Sequence, residues 1–218
     1  MTPKQQFDIN IRAADYYVRM YKELRQLKGL GARGQLDSAN RYLLWLPRAA
    51  VVSALSSLDA YVHQTLYERI PQLLGGPHSD VPDELAKMVS SVTPFKSADD
   101  VRKLVKLMNS SDPASSLATS IEKGKLQFAS FQAPHKIEGA YKLVGVDDPF
   151  GAVAAAWPGP ATSKDEIRNK LDRYYKRRNQ IAHEGDLNLQ YNPRPMQPKY
   201  ASDCRTFIAG LVERLDTL

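Results

Sequence analysis

The chain has little cysteine and no long apolar run. Its single thiol, Cys204, rules out a disulfide within the chain and a zinc site built from several cysteines. No unbroken apolar run approaches the ~20 residues that a membrane-spanning helix needs. The N-terminal Met1-Thr-Pro-Lys leads directly into a polar segment without a secretory signal. We therefore expect a cytoplasmic protein with no membrane partner.

The motifs of several common enzyme classes are also missing. There is no glycine-rich phosphate loop, no cluster of His and Cys at metal-ligand spacing, and no serine nucleophile elbow. His63 and His183 could in principle share a metal ion, but no spacing around them supports one. The sequence thus predicts neither a metal nor a cofactor.

What the sequence does contain is typical of a globular helical protein. Its 218 residues are 43% hydrophobic and 25% charged, and the net charge of +6 permits a polyanionic partner. Apolar residues recur at helical spacing along four long stretches, residues 6–28, 38–70, 164–184 and 199–217. Helix-start signals predict shorter helices at residues 83–91, 98–109, 113–124 and 135–144. We predict an all-α protein without a sheet.

These stretches also predict the domain organisation. The second long stretch should kink or begin anew at Pro47, because proline lacks the N–H that a helix interior needs. Between the second and third core helices, the short helices of residues 76–161 form a predicted insertion that packs on the same core. The expectation is a single domain over residues 1–218.

A loop rich in glycine separates the first two long helices. Gly29, Gly31 and Gly34 break the helical pattern, with basic side chains at Lys28 and Arg33. These two side chains could touch phosphate, or they could belong to a solvated basic loop.

The stretch with the most chemistry is RRNQIAHEGD, residues 177–186, at the end of the third long helix. Gly185 is placed to end that helix in a left-handed turn. Arg178 falls in the middle of the apolar stripe, and Asn179 and His183 lie side by side on its shoulder. Because arginine cannot lose its charge, Arg178 must face a carboxylate, a phosphate or a water-filled cleft.

A candidate carboxylate lies on the second long helix. Asp59 is at the edge of that helix's apolar stripe, with His63 one turn further on. A carboxylate half inside a core needs a partner, so we predict that Asp59 pairs with Arg178 or Arg177. Two roles stay open: a salt bridge that fixes two helices, or a carboxylate that orients a catalytic Arg or His.

These residues resemble the HEPN superfamily, whose ribonuclease motif is Arg, often followed by Asn, then four to six residues and His. Arg178-Asn179 and His183 fit this motif, and the surrounding run is most similar to the branch called RiboL-PSP-HEPN. A second match, RAAVVSALSSLDAYVH at residues 48–63, resembles that branch's second helix. Together the matches cover about two dozen of the 218 residues.

The resemblance implies an all-helical, usually dimeric protein that cuts RNA without a metal, in a toxin, phage-defence or stress setting. HEPN toxins that pair with nucleotidyltransferase antitoxins usually carry Tyr two residues after the His. This chain has Gly185 there, which argues against that kind of antitoxin. Any cognate antitoxin or defence partner is therefore unidentified.

The motif also suits cleavage of RNA by its own 2′-hydroxyl. His183 can take the proton, Arg178 can neutralise the phosphorane oxygens, and Asn179 can hold the imidazole or a phosphate oxygen. The leaving group needs a second acid, which His183 of a second copy could supply in a homodimer. The expected products are a 2′,3′-cyclic phosphate and a 5′-hydroxyl. Supporting roles are expected for Asp59, Arg177, His63, Glu184 and Asp186.

A second class of function fits the same residues. Arg178, Asn179 and His183 could serve a HEPN-like dimer that binds RNA or a nucleotide, or regulates a partner protein, without cutting. Catalysis requires His183 to be accessible to solvent beside Arg178, whereas a purely structural motif would bury it.

Overall fold

The computed structural model describes residues 1–31, 34–159 and 162–218, and it confirms the all-α prediction. No β-strand forms within these ranges, apart from an isolated bridge between Leu187 and Pro193. The α-helices in chain order are α1 Pro3–Asn10, α2 Arg12–Leu27, α3 Trp45–Gly75, α4 Asp83–Val92, α5 Ala98–Met108, α6 Pro113–Ile121, α7 Pro134–Lys142, α8 Pro149–Ala155, α9 Lys164–His183 and α10 Pro198–Leu215. Further helical segments are 3₁₀ turns at Ser38–Leu44 and His78–Asp80 and a π-helix at Glu122–Leu126.

The chain forms two compact units. The first combines Met1–Tyr61 with Val153–Leu218, and the second is Val62–Ala152. The motif helix α9 belongs to the first unit. The prediction of a single domain with an insertion at 76–161 stays a prediction.

The first predicted helix is divided in two. Ile11 interrupts the stretch between α1 and α2, although no helix-breaking residue marks the place. Phe7, Ile11 and Ala14 are all buried, so the apolar stripe continues across the break. The stripe predicted the buried face correctly and could not reveal a local irregularity on it.

Pro47 lies at a helix start, as predicted, whereas Pro71 does not end its helix. The second long helix begins anew after a 3₁₀ turn, and Pro47 lies in the first turn of α3, where no intrahelical bond needs its missing N–H. Pro71 lies inside the same helix, which continues to Gly75 beyond the predicted end at residue 70. Pro149 starts α8, and the Asp148 carboxylate before it accepts a hydrogen bond from the Gly151 N–H at 3.0 Å.

A buried arginine shapes the glycine-rich loop. Arg25 donates from Nε to the Gly31 carbonyl at 2.9 Å and from Nη2 to the Leu30 carbonyl at 3.0 Å. It also donates from Nη1 to the Gly34 carbonyl at 3.2 Å. Arg33 lies outside the described residues. The described parts of this loop are thus folded around a fixed charge, which the glycine pattern did not predict.

The α10 helix supplies much of the core of the first unit and packs against α2. Tyr174 of α9 places its ring centroid 5.6 Å from that of Phe207 and 5.2 Å from that of Tyr200. Cys204 is fully buried, and this burial raises the pKa of its thiol well above the usual range. Cys204 thus packs as a small hydrophobic side chain.

One helical stretch of 38 residues, Ser38–Gly75, is long and apolar enough to cross a membrane by length and composition alone. The stretch contains charged and polar residues, so it is not an unbroken apolar run. Half of its most apolar part is buried within the protein, as is usual for a core helix. Its composition therefore carries no argument about a membrane.

The burial of Cys204 predicts its reactivity. In the native protein its thiol should react with DTNB far more slowly than in guanidinium chloride, because only the exposed thiolate attacks. The Leu189→Cys variant is a matched control, since residue 189 is 92% exposed, and it should add one fast-reacting thiol. A fast reaction of Cys204 in the native wild type would contradict the packing of α10.

Candidate functional site

The α9 helix carries the site, and its C-terminal end is formed as predicted. Ser163 caps the N-terminus, accepting from the Glu166 N–H at 3.2 Å, while the Glu166 carboxylate accepts from the Ser163 N–H at 2.7 Å. Gly185 ends the helix with φ of 62°. Asp186 follows with φ of 56°, a left-handed conformation that aspartate tolerates better than most residues. The Asp186 N–H donates to the Gln180 carbonyl at 2.9 Å, so the turn folds back on the helix.

The three predicted catalytic residues lie together. Arg178 Nη1 is 3.1 Å from Asn179 Oδ1 and 3.4 Å from His183 Nε2. Arg178 and Asn179 are half-buried, whereas His183 is exposed. The arrangement meets the condition for catalysis, which requires an accessible imidazole beside a guanidinium.

The contact between Arg178 and His183 defines what each group can do. Arginine only donates hydrogen bonds, so the Arg178 guanidinium, 3.4 Å from His183 Nε2, can donate to this nitrogen only in the tautomer that leaves Nε2 unprotonated. Arg178 Nε is buried without a hydrogen-bond partner among the described residues. The guanidinium therefore keeps a donor that the described part of the protein does not use.

A buried carboxylate, Asp186, lies immediately beyond the motif helix. Its side chain is 0% exposed and faces two arginines. Arg48 of α3, itself 4% exposed, donates from Nε to Asp186 Oδ2 at 2.5 Å. The Arg48 guanidinium also donates to the carbonyls of Leu44 at 2.9 Å and Arg194 at 2.7 Å. Arg48 thus joins the start of α3 to the segment that follows α9.

Arg177 holds the same carboxylate from the other side. Its Nη2 donates to Asp186 Oδ2 at 2.9 Å and to the Pro195 carbonyl at 2.9 Å. Its Nη1 lies 2.7 Å from Asp186 Oδ1 as an ion pair, at an angle unsuited to a hydrogen bond. Burial lowers the pKa of the Arg177 guanidinium, and the charge of Asp186 opposes that shift.

Charged side chains also hold the connector between α9 and α10 in place. Arg194 donates its N–H to the Asp186 carbonyl at 2.8 Å, and its Nη2 contacts the exposed Glu184 carboxylate at 2.8 Å. Asn188 organises the tip, where its Oδ1 accepts from the N–H groups of Gln190 and Asn192. The proline-rich segment is non-helical, as predicted.

The predicted pairing of Asp59 with Arg178 or Arg177 stays a prediction. Asp59 is half-buried on α3, and a different carboxylate, Asp186, pairs with Arg177. The apolar stripes of the sequence did not indicate this role of Asp186. His63 lies in the second unit, where its Nε2 is 3.2 Å from the Ala129 carbonyl and its ring packs 4.8 Å from that of Phe131.

The central role of Asp186 and Arg48 was not predicted from the sequence. Asp186 was expected only to tune the site, and Arg48 only to mark the start of a matching helix. A signal was present: Arg48 stands in the apolar stretch from Leu43 to Leu58 and needs a counter-charge. Among the described residues, no group of three or more His, Cys, Asp or Glu side chains is arranged to hold a metal ion.

Comparisons with protein-family models, with curated proteins and with solved structures give no significant match to this chain.

The Asp186 network predicts a large effect on stability. Asp186→Asn removes the charge but keeps a residue that accepts the left-handed backbone. It should lower the free energy of unfolding by about 3–5 kcal/mol, because two buried guanidinium groups lose their counter-charge. Urea denaturation followed by circular dichroism measures this loss.

Asp203→Asn is the matched control. Asp203 forms an exposed pair with Lys199 one helical turn away, and such pairs contribute about 0.5 kcal/mol or less. Equal, small effects of the two substitutions would show that Asp186 does not stabilise the first unit.

Proposed function

We propose that this chain is a metal-independent endoribonuclease of the HEPN type, which cleaves RNA through the RNA's own 2′-hydroxyl. The observation that carries the proposal is the exposed His183 imidazole with the Arg178 guanidinium 3.4 Å from its Nε2. The motif resemblance of residues 177–186 supports the same function. The proposed setting is a toxin, phage-defence or stress response.

The reaction needs one proton removed and one delivered. The His183 imidazole takes the proton from the 2′-hydroxyl, whose oxygen forms a bond to phosphorus. The bond from phosphorus to the 5′-oxygen breaks, and that oxygen receives a proton from a second acid. Arg178 stabilises the negative charge that builds on the non-bridging oxygens. Asn179 accepts from Arg178 at 3.1 Å and so fixes the direction of the guanidinium.

A homodimer supplies the second acid. One chain offers one well-placed imidazole at this site, so we propose that His183 of a second copy protonates the leaving 5′-oxygen. In this proposal the substrate is not contacted by Arg177, Asp186 or Glu184. Their charges are paired within the protein and stabilise the end of α9 and the connector.

Substitution of either reacting residue should abolish cleavage and leave the fold intact. His183→Ala should lower the single-turnover rate on a short single-stranded RNA by about 10²–10⁴-fold, as expected for loss of a general base. Arg178→Ala should lower it by about 10²–10³-fold, as expected for loss of an electrostatic stabiliser. RNA affinity should change far less, because the lost interactions exist mainly in the transition state.

The matched control is His135→Ala, which removes an exposed histidine of α7 in the second unit and should not change the rate. All assays contain EDTA, and the wild type should stay active. Activity that requires added magnesium would contradict the mechanism. A folded wild type that binds RNA without cutting it would move the assignment to the non-catalytic RNA-binding dimer.

The dimer is tested separately. Light scattering at assay concentration should give twice the 24.4 kDa mass of one chain. Dilution that dissociates the dimer should reduce cleavage in parallel, because each site loses its second acid. A fully active monomer would overturn this part of the proposal.

A further inference from the structure

Two large aromatic side chains are exposed where α3 begins. Tyr42, in the 3₁₀ turn, is 53% exposed, and Trp45, the first residue of α3, is 50% exposed. Their neighbour Leu43 is buried with Tyr21 and Leu36 in a small apolar cluster. That cluster is complete without the two rings, so the core does not explain their presence.

A cation lies against each ring. Lys28 Nζ is 5.7 Å from the Tyr42 ring centroid, and Arg48 Cζ is 5.2 Å from that of Trp45. Both distances are within the range of cation–π attraction. Arg48 is immobilised by its hydrogen bonds to Asp186 and two carbonyls, so it holds the Trp45 ring in one place. Each ring is thus oriented by a positive charge while half of its surface stays open.

The Trp45 ring is connected through Arg48 to the end of the motif helix. Arg48 contacts both Trp45 and Asp186, and Asp186 follows His183 by three residues. All of these residues belong to the first unit. A surface at Trp45 is therefore held in a fixed relation to the end of α9.

The exposed charge beside the rings favours an anionic occupant. The charge of Arg48 is neutralised by Asp186, and the Asp37 carboxylate caps the turn by accepting from the Asn40 N–H. Arg41 is exposed next to Tyr42, and Lys28 is exposed over the Tyr42 ring. Open aromatic faces beside positive charges are the combination with which proteins bind single-stranded nucleic acid, since bases stack and phosphates pair with the cations.

We propose that Tyr42 and Trp45 form a stacking surface for the bases of single-stranded RNA. This proposal rests on the proposed nuclease function and defines its substrate: bases in a duplex are stacked inside the helix and cannot reach the rings. Lys28 and Arg41 contact the phosphates of the same strand. The enzyme therefore acts on unpaired RNA positioned from Trp45 towards His183.

Fluorescence of Trp45 tests the stacking directly. The Trp157→Phe substitution leaves Trp45 as the single tryptophan, and His183→Ala in the same chain prevents cleavage. Titration with an unstructured eight-nucleotide RNA should quench the Trp45 emission to saturation, more weakly at higher salt. The same sequence in a perfect duplex should produce little quenching. Saturable binding of the single strand without quenching would overturn the proposal.

Affinity measurements supply the second test. Trp45→Ala and Tyr42→Ala should each weaken binding of the single strand roughly 5- to 150-fold, the range for loss of one stacked base. Trp45→Phe should retain most of the affinity. Phe128→Ala is the control, because Phe128 is a ring in the second unit that is 83% exposed, and it should bind as the parent does. Thermal melts exclude loss of fold.

The outcomes separate this proposal from the nuclease. Quenching of Trp45 by single-stranded RNA, combined with no cleavage by the chain that carries His183, would contradict the nuclease function and support the stacking surface. Cleavage by the chain that carries His183, combined with an unchanged affinity of Trp45→Ala for single-stranded RNA, would contradict the stacking surface and support the nuclease function. A parent that binds no single strand at low salt would also overturn the surface and point to a protein partner for these rings.

Discussion

The charge of Asp186 is the constraint on which the candidate site depends. A fully buried carboxylate is stable only with opposite charge and hydrogen bonds around it, and here Arg48 and Arg177 supply both. The two arginines also bind carbonyls of the connector, at Arg194 and Pro195. One acidic side chain thus joins the start of α3, the end of α9 and the segment before α10.

Two adjacent arginines, Arg177 and Arg178, have different partners. Successive helix residues point about 100° apart, so Arg177 turns towards Asp186 while Arg178 turns towards Asn179 and His183. Charge neutralised by Asp186 is unavailable to a substrate. Arg178 has no such carboxylate among its described contacts, and its positive charge remains available for a phosphate.

Local features of the fold could be predicted because they depend on neighbours in sequence. The capping box of Ser163 and Glu166, the left-handed Gly185 and the fresh helix start near Pro47 all follow from short-range geometry. The proximity of Arg178 and His183 was predictable for the same reason, since both lie within two turns of one helix. Partners across elements were harder to predict, because the apolar stripes did not indicate that Asp186 binds Arg48 and Arg177.

In the proposed reaction the 2′-hydroxyl of the RNA, and not water, attacks the phosphorus. Mass spectrometry of the products formed in ¹⁸O-labelled water tests this most directly. We predict fragments that end in a 2′,3′-cyclic phosphate with no ¹⁸O, and partner fragments that begin with a 5′-hydroxyl. Fragments with a 5′-phosphate carrying one ¹⁸O atom would show attack by water and would contradict the role given to His183 and Arg178.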